Sequence, residues 1–181
     1  MNQGLLPKRY AKALFKYSAE KNVTADVYAF MRHIADAALA NPDLSSTLAN
    51  PFVSDEQKQM LALTAAGANA DKCHALTDFI SLLIKNQRID MLHEVALAFS
   101  KLYRKENNIY SVCIESASEL SDDDSKRICA LVQRHLNGAT AEFSFVIDPA
   151  LIGGFVVNIE NERLDASVKN ELEQLRLKLI K

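Results

Sequence analysis

The sequence predicts an α+β protein: a six-helix bundle over residues 1–107, followed by a small α+β domain over 108–181 in the order strand, helix, strand, strand, helix. Three observations predict it. From Pro7 to Glu106 apolar residues recur at helical spacing, interrupted by capping and stop signals. At Asn107-Asn108 the spacing changes to the alternation of a strand. The run from Ile147 to Lys169, IDPALIGGFVVNIENERLDASVK, reads as turn, strand, turn and helix.

Pro7 opens a first helix, about Lys8 to Lys21, because a proline in the first turn forfeits no hydrogen bond. On a 3.6-residue wheel Lys8, Lys12, Lys16 and Glu20 form one polar strip. Tyr10, Ala11, Ala13, Leu14, Phe15 and Tyr17 cover roughly 200° of the remainder, where packing one face on a core needs only about 100°. A second helix, about Thr24 to Ala40, turns Val27, Phe30, Met31, Ile34 and Ala38 inward and stops at Asn41-Pro42. A short third helix ends at Asn50-Pro51.

Ser54-Asp55-Glu56-Gln57 has the form of a capping box and opens a fourth helix reaching about Ala68. The fifth, about Lys72 to Lys85, gathers His74, Thr77, Asp78, Ser81 and Lys85 on one side. Its apolar residues Ala75, Leu76, Phe79, Ile80, Leu82, Leu83 and Ile84 again span roughly 200°. The sixth, about Ile89 to Glu106, keeps Leu92, Val95, Phe99, Leu102 and Tyr103 in a narrower sector, with Leu97 outside it.

In the second domain Ile109 to Ser116 forms a strand with Val112 and Ile114 on one face. Ser121 caps the next helix, whose first turn holds Asp122, Asp123 and Asp124 at the positive end of the helix dipole. Asn137-Gly138 ends it. A strand from about Thr140 to Ile147 follows. Pro149, Gly153 and Gly154 then make a structural turn, the proline by fixing φ and the glycines by permitting positive φ. Phe155, Val157 and Ile159 alternate along the last strand. Asp165 or Ser167 caps a helix carrying Val168, Leu172, Leu175 and Leu179 at helical spacing.

The chain has 181 residues, of which 49% are hydrophobic, enough for a sizeable core. A net charge of -2 leaves no basic excess to neutralise a nucleic-acid backbone or to hold anionic lipid. No apolar run approaches the roughly 20 residues that cross a bilayer, and MNQGLLPKR lacks the apolar region of a secretory signal, so a cytosolic chain is expected. Cys73, Cys113 and Cys129 are widely spaced without a CxxC pair, which reads as reduced thiols rather than disulfides or a zinc site.

Catalytic chemistry needs a constellation that the sequence does not offer. His33, His74, His93 and His135 have no partners at metal-ligand spacing, and no GxSxG, HExxH or Walker pattern occurs. No catalytic residue, metal or cofactor is expected. Gly153-Gly154 leads into a strand, whereas a phosphate loop leads into a helix. Phe143, Phe145 and Phe155 could stack on RNA, but little positive charge accompanies them.

The surplus apolar surface of the first and fifth helices remains. Either both lie mid-bundle, buried almost all round, or they border a groove for an amphipathic partner helix. The groove reading places Tyr10, Ala13 and Tyr17 of the first helix opposite Ala75, Phe79 and Leu82 of the fifth. Ala13 permits close approach, and the tyrosines suit a half-wet wall.

Four stretches carry a family resemblance: RYAKALFKY at Arg9 to Tyr17, NPFVS at Asn50 to Ser54, FISLLIKNQR at Phe79 to Arg88, and DPxLIGG leading through a strand to DASVK at Asp165 to Lys169. In this order they resemble the delta subunit family of F-type ATP synthases, whose mitochondrial counterpart is the oligomycin-sensitivity-conferring protein. Arg88 follows Gln87, where relatives often have glycine.

The resemblance implies a non-catalytic stator subunit in proton-driven ATP synthesis. Its N-terminal bundle would bind the N-terminal helix of an alpha subunit of the catalytic head, and its C-terminal domain would meet the b subunits of the peripheral stalk. It implies a peripheral place on the cytoplasmic face of the bacterial inner membrane, and it favours the groove over full burial. The alternative is a helical adaptor for another amphipathic peptide.

Overall fold

The computed structural model describes residues 5–67, 70, 73–136, 138–160 and 162–179. The chain divides into two compact units, the first ending at Tyr103 and the second beginning at Arg104.

The helices of the N-terminal half are α1 (Leu5–Glu20), α2 (Thr24–Ala40), α3 (Asp43–Ala49), α4 (Asp55–Ala66), α5 (His74–Lys85) and α6 (Leu92–Glu106). A 3-10 turn, Ile89–Met91, leads into α6. The capping box at α4 is complete: Ser54 Oγ accepts from the Gln57 amide at 3.3 Å, and the Ser54 amide donates to Gln57 Oε1 at 3.2 Å. Its expected extension to Ala68, and the expected start of α5 at Lys72, lie outside the described residues; α4 ends at Ala66 and Gly67 follows at φ +98°.

At the end of α5 the amide of Arg88 donates to the Leu83 carbonyl at 2.8 Å and that of Gln87 to Ile84 at 2.9 Å. This is a Schellman terminus, with Gln87 in the left-handed region at φ +54°. A Schellman terminus also closes α1, where Val23 donates to Ser18 and Asn22 to Ala19, with Asn22 at φ +56°.

Leu14, Met31, Ile34, Leu76, Ile80, Leu83, Leu92, Val95 and Phe99 fill the core of this unit. The buried residues of α1 are Pro7, Ala11, Leu14 and Ser18, a single stripe far narrower than the helix's apolar arc. Ser18 points inward because its hydroxyl is satisfied locally, donating to the Phe15 carbonyl at 3.0 Å. Of the residues expected inward on α2, Val27, Met31 and Ile34 are buried, and Tyr28 joins them. Leu97 is exposed, as its position outside the α6 sector predicts.

The second unit contains β1 (Ile109–Ser116), α7 (Asp122–His135), β2 (Thr140–Ile147), β3 (Gly154–Ile159), β4 (Glu162–Ser167) and α8 (Val168–Leu179). The sheet order is β2-β1-β3-β4. β1 and β2 are parallel, with α7 as their crossover, and the other pairs are antiparallel. Register sets Val112 beside Phe143 and Ile159, and Ile114 beside Phe145 and Val157. Ile128 and Val132 of α7 pack on Val112, Ile114, Val157 and Ile159 to make the second core. Ser121 caps α7 by accepting from the Asp124 amide at 3.2 Å. Asn137, expected at the end of α7, lies outside the described residues; Gly138 has φ +82°.

One expectation for this unit is corrected. The order is strand, helix, strand, strand, strand, helix, because ERLDAS at Glu162–Ser167 pairs with β3 as an edge strand. Its polar composition gives no strand signal, and the pairing with β3 decides it. On α8, Val168, Leu172 and Leu175 stand at helical spacing, as expected, and all three are exposed. The side chain of Leu179 lies outside the described residues. Ser167 is the cap, accepting from the Asn170 amide at 3.2 Å, while Asp165 sits in β4 and accepts from the Ser167 amide at 3.0 Å.

Candidate functional site

Between α1 and α5 lies a trough of about 310 Å³ lined by Ala13, Leu14, Tyr17, Asp78, Phe79 and Leu82. Four of the six residues assigned from the wheel line it: Ala13, Tyr17, Phe79 and Leu82. Helical geometry explains the set, since residues 13 and 17 on one helix, and 78 and 82 on the other, each stand one turn apart on the same face.

The floor is closed and the walls are open. Leu14 is 1% exposed and Phe79 5%, so both belong to the core as well as to the trough. Ala13 is exposed and Leu82 is 45% exposed. Tyr17 is half-buried, and its hydroxyl donates to Asp78 Oδ2 at 2.9 Å across the mouth. That bond, first, raises the Tyr17 phenol pKa above its ordinary value; partial loss of water and the negative charges of Asp78 and Glu20 add to it. Lys21 Nζ stands 5.9 Å from the centre of the Tyr17 ring.

The other two assigned residues do not line the trough. Ala75 is 3% exposed and belongs to the core, because its place on α5 lies nearer the Leu76–Phe79 side than the wheel boundary allowed. Tyr10 is half-buried at the edge, its ring meeting Phe79 edge-on with centroids 6.4 Å apart. Its hydroxyl accepts from the Asn86 side-chain amide at 3.5 Å.

Sequence reasoning had placed Asp78 only on the solvated strip of its helix. The signal was present, since Asp78 precedes Leu82 by one turn and so shares its wall.

Two other hollows are larger. One of about 390 Å³ includes Asp55, Lys58, Gln87 and Asp90 in its lining, and one of about 680 Å³ includes Ser116, Ser118, Asp124 and Arg127. Their walls mix charge with apolar surface, whereas the α1–α5 trough has one charged side chain among five apolar or aromatic ones. The latter composition suits the apolar face of a helix.

The second unit holds the other assigned residues. Pro149 lies in a turn in which the Asp148 side chain accepts from the Ala150 amide at 2.9 Å. Gly154 has φ +78°, and a Cβ there would stand 2.3 Å from the Ala166 carbonyl oxygen. Gly153 does not use positive φ; its carbonyl accepts from the Val168 amide at 3.0 Å, so the two glycines serve different ends. Phe143 and Phe155 pack against the α7 core, which leaves Phe145 as the exposed member of the trio considered for stacking. His135 faces Glu162 at 3.3 Å on the surface. Burial raises the Cys129 thiol above its ordinary value, which disfavours the reactive thiolate.

The family model described as "ATP synthase delta (OSCP) subunit" matches residues 6–179. ATP synthase subunit delta of Parabacteroides distasonis is 36% identical over 180 residues, covering 99% of this chain and 98% of that one. The same subunit of Bacteroides thetaiotaomicron is 33% identical, covering 99% and 96%. Among solved structures, a chain in the cryo-EM structure of the Toxoplasma gondii mitochondrial ATP synthase hexamer aligns with TM-score 0.73 at 23% identity, covering 97% of this chain and 98% of that chain. At that identity the likeness shows the shared fold.

Proposed function

The chain belongs to the ATP synthase delta (OSCP) subunit family, and from that premise we propose that it ties the catalytic head to the peripheral stalk by receiving the N-terminal helix of an alpha subunit in the α1–α5 trough. It is a structural subunit of ATP synthase, with no catalytic role in the complex. The observation that carries the proposal is the pair of exposed apolar side chains, Ala13 and Leu82, over a closed floor of Leu14 and Phe79.

An amphipathic helix laid in this trough buries anchors at i, i+3, i+4 and i+7. Each anchor fully buried contributes about 1.5–3 kcal/mol, so three or four exceed the lower range of association costs. Ala13 lets the partner backbone approach, and the tyrosines supply apolar rings whose hydroxyls stay hydrogen-bonded. Residues 1–107 act as the head-binding domain and residues 108–181 meet the b subunits of the stalk. Two tethered contacts reinforce each other, because once one is made the other becomes intramolecular. Torque from proton-driven rotation is then resisted without either contact being strong alone.

Among the described residues no helix is long and apolar enough to cross a membrane. The subunit reaches the membrane through the complex, at the cytoplasmic face of the bacterial inner membrane.

The direct test is retention of the full chain on an immobilised peptide from the alpha-subunit N-terminus. Binding is expected for the natural chain and is lost in Ala13→Asp, because an unpaired carboxylate in the trough costs several kcal/mol when the helix seats over it. Absence of binding, or binding indifferent to Ala13→Asp, would overturn the proposal.

A further inference from the structure

We infer that Asp78 selects the trough's occupant by charge: the helix received there carries a lysine or arginine beside its apolar anchors, placed to take the carboxylate oxygen that Tyr17 leaves free. The inference rests on the trough being a helix-binding site and goes beyond it to the chemistry of the partner.

Asp78 is the one carboxylate in the lining. One of its oxygens accepts the Tyr17 hydroxyl, and among the described residues no cation forms an ion pair with it. With the trough open, water solvates the second oxygen. A helix seated over the walls removes that water, and a carboxylate left with a single neutral donor then disfavours binding. A cationic side chain at this level reverses the sign, since it supplies the missing donors through a charge-assisted bond.

The surroundings localise the requirement. Arg9, Ala13, Lys16 and Glu20 follow one another along one side of α1, so the outer edge of that wall is bordered by two cations and one anion, all exposed. On α5, Lys85 lies two turns beyond Asp78, about 10 Å along the axis. Lys21 Nζ stands 5.9 Å from the centre of the Tyr17 ring and forms no ion pair with Asp78. A uniformly basic helix is therefore disfavoured along α1, and a uniformly acidic one at Asp78. The fitting partner presents its cation toward α5 at a single level.

The test uses the full chain and a labelled synthetic peptide of the alpha-subunit N-terminal segment, with each Lys or Arg replaced singly by Gln. One replacement is expected to weaken binding to the natural chain about two- to fivefold at low salt. That difference vanishes against Asp78→Asn and shrinks as salt rises, while Tyr17→Phe preserves it. If every peptide variant binds the natural chain equally, or if Asp78→Asn weakens all of them alike, the charge selection is overturned while the trough stands. If the parent peptide does not bind at all, the trough reading falls and this inference falls with it.

Discussion

Tyr28 of α2 and Tyr103 of α6 stack with ring centroids 4.1 Å apart and planes 12° from parallel. Tyr28 is buried and Tyr103 half-buried, so the pair clamps α6 onto the bundle near the end of the first unit. Tyr103→Ala removes both the stacking and the area it covers, and the expected loss is about 2–3 kcal/mol. A fall in the thermal midpoint of the helical unit, followed by circular dichroism, measures it; an unchanged midpoint would contradict the clamp.

The Tyr17–Asp78 bond makes a pH prediction. Folding favours the neutral phenol, so its contribution is whole below the ordinary tyrosine value of 10.0 and is lost as pH rises through the raised folded value. Absorbance titration should show one tyrosine ionising later than it does in Asp78→Asn. Identical titrations would show that the bond does not persist in solution.

Gln87 holds a left-handed conformation at φ +54° without being glycine. Both Schellman hydrogen bonds at this position come from the backbone and survive substitution. Gln87→Gly is therefore expected to stabilise the bundle by roughly 0.5–1 kcal/mol, the relief of left-handed strain less the added freedom of the unfolded chain. Equilibrium denaturation of the two chains compares them directly.

Gly154 cannot carry a side chain. Its φ of +78° and the 2.3 Å approach of a Cβ to the Ala166 carbonyl both forbid it, and that carbonyl belongs to β4. Gly154→Ala should cost roughly 2–4 kcal/mol and accelerate amide exchange in β3 and β4. Gly153→Ala meets only the Val168 methyl at 3.1 Å, a side chain that can shift, and is expected to be much milder.

At the start of α8 the Asp165 pKa lies below the ordinary carboxylate range. The cause is first the hydrogen bonding from Ser167; partial loss of water opposes it, and the positive charges of Arg163 and Lys169 add to it. A depressed pKa contributes stability that is present above the ordinary value and is lost as pH falls through the lowered one. Protection of the Ser167 and Asn170 amides, taken relative to their intrinsic exchange rates, should fall in that acid window, and Asp165→Ala should already show the lower protection at neutral pH.

Much of the fold was legible because its signals are local. The capping box at Ser54, the Ser121 cap and the change of period at Asn107-Asn108 depend on neighbours a few residues apart. β4 was not legible, because ERLDAS becomes a strand only through its pairing with β3. Tyr28 was missed for a related reason: its partner, Tyr103, is distant in sequence. In the trough, Ala13, Tyr17, Phe79 and Leu82 followed from the wheel, whereas the burial of Ala75 and the inclusion of Asp78 depended on how α1 is rotated against α5.

The sequence by itself determined which helices carry more apolar surface than a core can use, since that excess is a property of one helix and its period. Whether the excess is hidden or offered was decided by the tertiary structure alone. α1 buries the Pro7, Ala11, Leu14 and Ser18 stripe and leaves Ala13 in water, while α5 buries Ala75, Leu76, Phe79, Ile80 and Leu83 and leaves Leu82 there. The physical reason is that a wheel fixes angles around one axis, while the space between two axes depends on packing contacts made by residues far apart in the chain.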